Sequence, residues 1–477
     1  MIPVLLIVIP LVTGLISFFI KEERSAKSWA LLSAVATLAV SLVSLFKHGD
    51  ALSFDAPWLP MMGSRFSLSV DGMGKILTLL TAVSFPIIFA ATFNNSYKNS
   101  NAFYGFMLLT QAGLMGVFCS FDLLLFYFFW ELALIPAYFL CSKWGGEKRI
   151  PVTFKFFIYT FVGSLLMLVG ILYVYYKTPT HSFAFSAVHN LALGVGEENF
   201  IFWLFFIAFA IKMPIFPFHT WQPDTYEQAP TAVTMVLSGI MVKMGVFAVI
   251  RWLLPMFPGA SVRMADIVMI LAVTGMIYAS LIAIRQDDIK RLVAYSSIAH
   301  IGLMAASMFT SDSSGMQGVI FQMFAHGVNI IGLWIVVDVI EQQLGTRKFS
   351  ELGGLAQKAP TLAILFVIMA FANIALPLTN SFIGEFLMFN SVFRHSIALG
   401  AVACVSIILA AIYTLWMVQK IFYGEVRTTD SIDIKVPVNT QLMLAILVAV
   451  VIIFGVYPQP MINLSSETVT KIIAQIK

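Results

Sequence analysis

The sequence predicts an all-α polytopic membrane protein with about 14 transmembrane helices, including two inverted five-helix repeats that each contain one broken helix. Three observations support this fold class. Hydrophobic residues make up 60% of the 477 residues, charged residues make up only 11%, and the mean hydropathy is +0.91. Soluble domains carry roughly 25% charged residues. Because so few charges cannot cover a water-facing surface, we expect lipid to be the main solvent.

Long apolar stretches divide the chain into spans, since about 20 apolar residues in a helix cross a bilayer. We expect spans at residues 2–20, 28–47, 72–93, 102–120, 121–141, 153–175, 199–223, 228–254, 263–284, 291–309, 314–341, 361–395, 398–422 and 437–457. The apolar N-terminus lacks the basic start and cleavage site of a secretory signal, so the first span should be retained. We expect four units: helices 1–3 in 1–99, a first repeat of helices 4–8 in 100–254, a second repeat of helices 9–13 in 255–422, and the last helix with a short polar tail in 423–477.

The distribution of lysine and arginine predicts the orientation, because cytoplasmic loops are enriched in both residues. One set of alternate loops carries most of the 28 basic residues, among them Lys21, Lys148, Arg149, Arg291 and Arg427. The poorer set includes Lys47, Lys177, Arg263 and Lys477. The richer side should face the cytoplasm. An even number of spans then places both termini in the periplasm.

Composition argues against several classes of protein. The net charge is only +4, and no block of basic residues offers a surface for a nucleic-acid backbone. Cys119, Cys141 and Cys404 lie far apart, which argues against a zinc site, an iron–sulfur cluster or a disulfide framework. The chain has no G-x-G-x-x-G motif, P-loop or haem-ligand pair. We therefore expect no redox centre or nucleotide site in this chain.

Two spans should be broken at membrane depth. In residues 211–217 two prolines follow Lys212, and in residues 376–385 a proline, polar residues and a glycine precede Glu385. Proline removes a backbone donor and clashes with the preceding turn. Broken helices are tolerated where they line a wet cavity, and a matched pair of them indicates inverted repeats around an ion site.

Six ionisable residues inside apolar stretches form the candidate proton-transfer site. A charge near the centre of a bilayer costs roughly 2.5–3.5 kcal/mol or more, so such residues usually mark ion pathways. Histidine titrates near physiological pH, and a desolvated lysine can carry a proton near neutral pH. The candidates are Glu131, Lys212, Lys243, His300, His326 and Glu385.

Each candidate also has a structural interpretation. Glu131 and Lys212 could form a gating pair or a static ion pair that holds two helices together. Lys243 is too far from either end of its span to reach water easily, so it should face a hydrated interior. The two histidines could carry protons or form packing hydrogen bonds, and a metal site is a weaker alternative. Glu385 could be an exit acid or a solvated residue at a cavity rim.

Ionisable residues near the predicted loops have a simpler interpretation. We expect them to cap helices or to contact solvent, and they include His219, Asp224, Glu227, Asp287, Asp288, Lys290 and Arg291. Lys155 begins its span and could reach the interface. It could equally add positive potential near Glu131.

Two motifs resemble the signature of the proton-conducting membrane subunits of respiratory complex I. The first covers 212–224 and continues through 227–231, and the second covers 288–302. The residues Phe129-Trp130-Glu131 and Asp71-Gly72 fit the same pattern. The similarity covers nearly the whole chain. This superfamily also contains Mrp-type cation/proton antiporters and membrane-bound hydrogenase subunits. Glu385, where most relatives have a lysine, and the short C-terminal tail indicate one branch of the complex I subunits.

The resemblance implies a proton-translocating, non-redox membrane subunit of NADH:quinone oxidoreductase in a bacterial inner membrane. Glu131 and Lys212 would form the gating pair, Lys243 would be the central carrier, and the two histidines would form the polar axis toward a periplasmic exit at Glu385. No cofactor is expected in this chain, because flavin, iron–sulfur clusters and quinone would belong to partner subunits. The expected partners are other membrane subunits, especially the antiporter-like subunits L and N.

Three alternatives remain open from the sequence. An Mrp-type Na⁺/H⁺ antiporter subunit would show Na⁺-dependent transport without NADH. A membrane-arm subunit of a group-four hydrogenase would copurify with different subunits. A structural scaffold, whose polar residues only join helices, would tolerate substitution of all six candidate residues.

Overall fold

The computed structural model describes residues 1–189, 191–425 and 435–476, and this part of the chain is almost entirely helical. The helices are α1 (Ile2–Ser17), α2 (Glu23–Leu45), α3 (Gly72–Ala91), α4 (Ser100–Cys119), α5 (Leu123–Trp144), α6 (Arg149–Lys177), α7 (Phe185–Val188), α8 (Val195–Lys212), α9 (Trp221–Gln228), α10 (Thr231–Met256), α11 (Pro258–Ile284), α12 (Ile289–Met308), α13 (Ser313–Leu344), α14 (Leu355–Lys358), α15 (Pro360–Asn373), α16 (Asn380–His395), α17 (Ile397–Phe422), α18 (Val438–Val456) and α19 (Gln459–Ile476). Short 3₁₀ turns cover Gly49–Leu52, Pro60–Met62 and Phe349–Glu351. The strands β1 (Ser53–Leu59) and β2 (Ser64–Ser69) form an antiparallel hairpin. Arg427 and Lys477, which the orientation prediction uses, lie outside the described residues.

The predicted polytopic helical fold is confirmed in the described part of the chain. Ten helices there are long and apolar enough to cross a membrane: α2, α3, α4, α5, α6, α10, α11, α13, α17 and α18. The apolar helix α1 is shorter, and so is α15, which α16 extends. Helix α12 and the pair α8 and α9 complete the predicted set of about 14 spans.

Both predicted helix interruptions are present, between α8 and α9 and between α15 and α16. The backbone enters the two breaks in the same way. The Ile215 N–H donates to the carbonyl of Ala210 at 3.2 Å, and the Leu376 N–H donates to that of Phe371 at 3.0 Å. Both bonds reach back five residues instead of four, because the neighbouring prolines prevent the regular helical ladder.

Two helices, α10 and α13, form the centre of the molecule. Their most apolar 18-residue windows are 100% buried, whereas that of the peripheral helix α18 is 28% buried. Their backbones come close at two glycines. A Cβ atom on Gly327 would lie 2.9 Å from the Gly239 carbonyl oxygen. Small residues at such crossings allow membrane helices to pack closely.

The two ends of the chain lie on the same side of the helix bundle. The Met1 amino group donates to the Ala51 carbonyl at 3.4 Å, next to the hairpin. Helix α19 packs there against α3, where the Gly72 N–H donates to Thr468 Oγ1 at 3.0 Å. We call this side the terminal face, and the side with the loops 18–22, 92–99, 145–148, 285–288 and 345–354 the opposite face.

The structure adds two elements that the sequence analysis did not predict. The hairpin stands between α2 and α3, where no span was expected. The expected short polar tail is largely helix α19, whose buried residues include Met461, Val469 and Ile472. These residues recur at helical spacing among polar ones, so α19 is amphipathic and packs with one face on the bundle.

Candidate functional site

Lys243 lies in the buried core of α10 and is 0% exposed. A π-helical turn at Leu237–Met241 precedes it. The Lys243 ammonium donates to the Ser238 carbonyl at 2.7 Å and lies 2.7 Å from His326 Nδ1. An ammonium group can only donate, so Nδ1 accepts when Lys243 is charged. Single π turns often occur at functional sites, and this one presents the carbonyl that orients the lysine.

His326 leads to a second buried histidine. The rings of His326 and His300 lie 5.5 Å apart, centroid to centroid, at an angle of 53°. On its other side, His300 Nδ1 lies 3.0 Å from Glu385 Oε1. We call Lys243, His326, His300 and Glu385 the polar line. Four residues from α10, α13, α12 and α16 thus bring a lysine, two imidazoles and a carboxylate into one buried series.

Neutral amides hold the far end of the polar line. Gln322 Nε2 donates to Glu385 Oε1 at 3.3 Å and to Ser381 Oγ at 3.3 Å. Asn329 Nδ2 donates to the same hydroxyl at 2.8 Å. The sequence analysis missed these residues. Their signal is the spacing of Gln322, His326 and Asn329 on α13, which places three polar side chains on one helix face.

Glu385 also lines a cavity of about 480 Å³ that is bordered by α16 and α17. Most of its walls are apolar, and they include Phe382, Phe386, Phe389 and Ile407. Glu385 itself is buried. It therefore lies where the polar line meets the rim of a cavity.

Glu131 and Lys212 lie in a different environment. Lys212 is buried at the end of α8, and its Nζ lies 5.5 Å from the centre of the Trp130 ring. Glu131 on α5 is only half-buried. Among the described residues, neither Glu131 Oε1 nor Lys212 Nζ has a hydrogen-bond partner. In this structure the predicted gating pair is therefore not joined by a direct hydrogen bond.

The loop-proximal residues form ion pairs on the opposite face. Arg291 joins Asp224 at 3.0 Å and Glu227 at 2.8 Å. Asp288 caps α12 by accepting from the Arg291 N–H at 3.2 Å. Burial raises the pKa of Asp288, and Arg347 opposes that shift. Lys155 pairs with Asp224 at 2.8 Å. Asp288 therefore caps a helix as expected. Contrary to the expectation of solvent contact, His219 and Lys290 are buried, and Lys290 pairs with Glu341 at 2.7 Å.

The described residues offer little to a metal ion. Among them, no group of three or more histidine, cysteine, aspartate or glutamate side chains is arranged to hold one. The groups at this site that can exchange protons are lysine, imidazole and carboxylate side chains, and amides and hydroxyls are their hydrogen-bond partners.

The fold and the buried ionisable series define an antiporter-like membrane subunit. The chain belongs to the family described as NADH:quinone oxidoreductase/Mrp antiporter, whose transmembrane model matches residues 120–412. Within that family, the predicted branch is confirmed by similarity to NADH-quinone oxidoreductase subunit M. The Rhodobacter capsulatus subunit M is 36% identical over 468 residues, which cover 94% of this chain and 91% of the relative.

Solved structures show the same architecture. A chain of respiratory complex I from Thermus thermophilus matches with a TM-score of 0.91 and 28% identity, over 99% of this chain and 100% of that one. A chain of the Mrp complex from Dietzia sp. DQ12-45-1b matches with a TM-score of 0.88 over 100% of this chain and 99% of that one. Its identity is 20%, so it shows a shared fold only.

Proposed function

We propose that this chain is a non-redox, proton-translocating membrane subunit of an NADH:quinone oxidoreductase. The observation that carries the proposal is the polar line, because it places four titratable groups in series within an apolar core. Buried ionisable groups in membranes are costly and usually serve ion transfer. The similarity to subunit M supports the assignment to this complex.

A change of charge at Glu131 and Lys212 would start the proton transfer. A change of charge beside Glu131 would alter the potential at Lys212 and then at Lys243. A unit charge a few ångströms away is worth about 1–4 kcal/mol at an effective dielectric near 20, which is enough to shift a proton equilibrium. Lys243 would pass its proton to His326 Nδ1, whose lone pair already faces the ammonium. His300 would then relay it to Glu385.

The orientation and the repeats remain part of this proposal. The excess of lysine and arginine on the opposite face supports a cytoplasmic opposite face and a periplasmic terminal face in a bacterial inner membrane. The two interruptions support a first repeat over 100–254 and a second repeat over 255–422. Flavin, iron–sulfur clusters and quinone would bind to partner subunits, and subunits L and N would be the neighbours in the membrane.

A polar cavity would supply the cytoplasmic end of the route. It has a volume of about 660 Å³ on the opposite face, and its lining includes Lys290, Asp338, Glu341 and Arg347. Asp338 is buried and accepts from Asn95 Nδ2 at 2.9 Å. Water in this cavity would bring protons to the bundle beside the first turns of α10.

The test is NADH-driven proton pumping by the assembled complex in proteoliposomes. Glu385→Gln keeps the shape of the side chain and removes its titration, so we expect pumping to fall about tenfold. The exposed Glu425 on the opposite face provides the matched control, Glu425→Gln, which should pump normally. Normal pumping by Glu385→Gln would refute the proposal. Na⁺-dependent transport without NADH would instead support an Mrp-type antiporter.

A further inference from the structure

A second charged cavity lies on the terminal face, away from the polar line. Its volume is about 480 Å³, and it lies between α3, α10 and α19. Its ionisable lining residues are His48, Asp71, Lys75, Arg251, Glu467 and Lys471. None of these residues takes part in the proposed proton transfer.

Lys75 places an uncompensated positive charge at this cavity. The residue is 5% exposed, and its ammonium donates to the Lys47 carbonyl at 3.0 Å. No ion pair joins it to a carboxylate in the described part of the chain. An ammonium group has three donors, so two of them remain for another acceptor. A buried charge without a counter-ion is costly, which favours binding of an anion here.

Arg251 lies at the same cavity and is already paired. It is 5% exposed, and its Nη2 donates to Asp71 Oδ2 at 2.6 Å. Its Nε is buried and has no hydrogen-bond partner among the described residues. The guanidinium lies over the Phe121 ring at 4.6 Å, which fixes its plane. A second π-helical turn, Val249–Leu253, carries this arginine, just as the first one precedes Lys243.

The charges of the cavity sum to about one positive charge when His48 is neutral. Arg251 neutralises Asp71, and Lys471 lies 2.6 Å from Glu467. Lys75 is left over. Helix α3 also begins at the cavity, and its N-terminus adds positive partial charge. The balance therefore fits a ligand with a single negative charge.

Much of the remaining lining is apolar, and these residues are Leu52, Val70, Phe121, Phe185, Leu464 and Ile472. Ser69, Asn463, Thr468 and Gln475 add polar side chains to it. The amphipathic helix α19 forms one wall, and helices of this kind lie at membrane interfaces. The cavity therefore combines cationic donors with apolar walls, close to the depth at which lipid headgroups lie.

We propose that this cavity binds a monoanionic phosphate-type oxyanion, with the Lys75 ammonium as its donor. The group is either the phosphodiester of an anionic phospholipid or a free phosphate ion. The apolar walls favour the phospholipid, because a soluble ion would leave them without a partner. This site does not depend on the proton-transfer proposal.

The experiment uses the purified protein with the subunits that copurify with it, in phosphatidylcholine nanodiscs. A trace of phosphatidylglycerol with a photoreactive acyl chain is added, and cross-linked peptides are mapped by mass spectrometry. We expect labelling of the α19 peptide, competition by unlabelled phosphatidylglycerol, and no competition by extra phosphatidylcholine. Displacement of the probe by inorganic phosphate would support the oxyanion site and assign it to a soluble ion.

Two lysine variants test the role of Lys75 in this binding. Lys75→Met should lower the labelling about fivefold or more, because it removes a charge-assisted hydrogen bond. Lys358→Met, on the opposite face, is the matched control and should label normally. Equal labelling of Lys75→Met and the parent protein would overturn the proposal, as would equal competition by the two lipids. The competition between the two unlabelled lipids needs no variant, so it tests the proposal even if Lys75→Met does not assemble.

Discussion

The two broken helices begin with the same kind of backbone hydrogen bond but differ in the hydrogen bonding of their charged side chains. Each break begins with a bond that reaches back five residues. At the first break, Lys212 Nζ has no hydrogen-bond partner. Beyond the second break, Glu385 is held by His300 and Gln322. We call the polar line the connected half of the candidate route, and Glu131 with Lys212 its unconnected half. In the proposed mechanism the connected half would relay the proton, and the unconnected half would respond to a change of charge.

The largest effect should come from a substitution that interrupts the polar line. His326→Leu removes the only residue that contacts both Lys243 and the ring of His300 along the polar line. We expect proton pumping to fall about tenfold or more, since each proton-transfer group contributes on the order of 10²–10⁴-fold when it is needed. Pumping is measured in proteoliposomes with NADH.

The control for this variant is His395→Leu. His395 lies on the terminal face, where its Nε2 is 2.8 Å from the exposed Asp266. It should pump normally. If His326→Leu pumped protons as well as His395→Leu, the polar line would not be the route of the transported proton.

Stability should change in opposite directions at the two breaks. Glu385→Leu leaves His300 Nδ1 and Gln322 Nε2 without their carboxylate and should lower the free energy of unfolding by about 1–3 kcal/mol. Lys212→Met removes a buried ammonium that has no hydrogen-bond partner among the described residues and should raise it by about 1 kcal/mol. The midpoint of thermal unfolding of the purified complex reports both effects. Shifts in the same direction in both variants would contradict the proposed difference in hydrogen bonding between Glu385 and Lys212.

A smaller effect is expected from the amide that supports Glu385. Gln322→Leu removes one donor to Glu385 Oε1 but leaves His300 in place. We expect pumping to fall about threefold to tenfold, which corresponds to the loss of one hydrogen bond with a net contribution of about 1 kcal/mol. Gln317→Leu on the same helix is the control, because Gln317 contacts Ser466 near the terminal face. An equal loss in both variants would indicate a general effect on α13.

The smallest effect concerns Lys155. It pairs with Asp224, which also pairs with Arg291, so Asp224 keeps a cation in Lys155→Met. Partly exposed ion pairs contribute about 0–1 kcal/mol. We expect pumping within about twofold of the parent value. A loss as large as that of Glu131→Gln would mean that Lys155 acts on Glu131 in addition to pairing with Asp224.

The sequence predicts the spans and breaks well because both depend on local properties. Span length follows from bilayer thickness, and each break follows from prolines. The polar line depends on contacts across 83 and 85 residues of chain. Which faces of α10 and α13 meet is set by the close approach at Gly239 and Gly327 and by a π turn, and no spacing in the sequence fixes either feature.

Other elements could have been predicted but were not. The residues of β1 alternate between exposed and half-buried along its whole length, and this period of two is typical of a strand. Gln322 and Asn329 on α13 have helical spacing but no charge, so the criterion of buried charges does not select them. The separation of Glu131 from Lys212 has no signal in the sequence, because it depends on side-chain directions of two distant helices.

The most direct test of the account is the proton-to-electron ratio of the assembled complex in Lys243→Ala and Glu131→Gln variants. Lys243 begins the polar line, and Glu131 is the residue at which we propose that a change of charge starts the transfer. We predict a ratio below the parental one in both variants, with the larger loss in Lys243→Ala. The parental ratio in both variants would contradict the claim that these buried charges carry the transported proton.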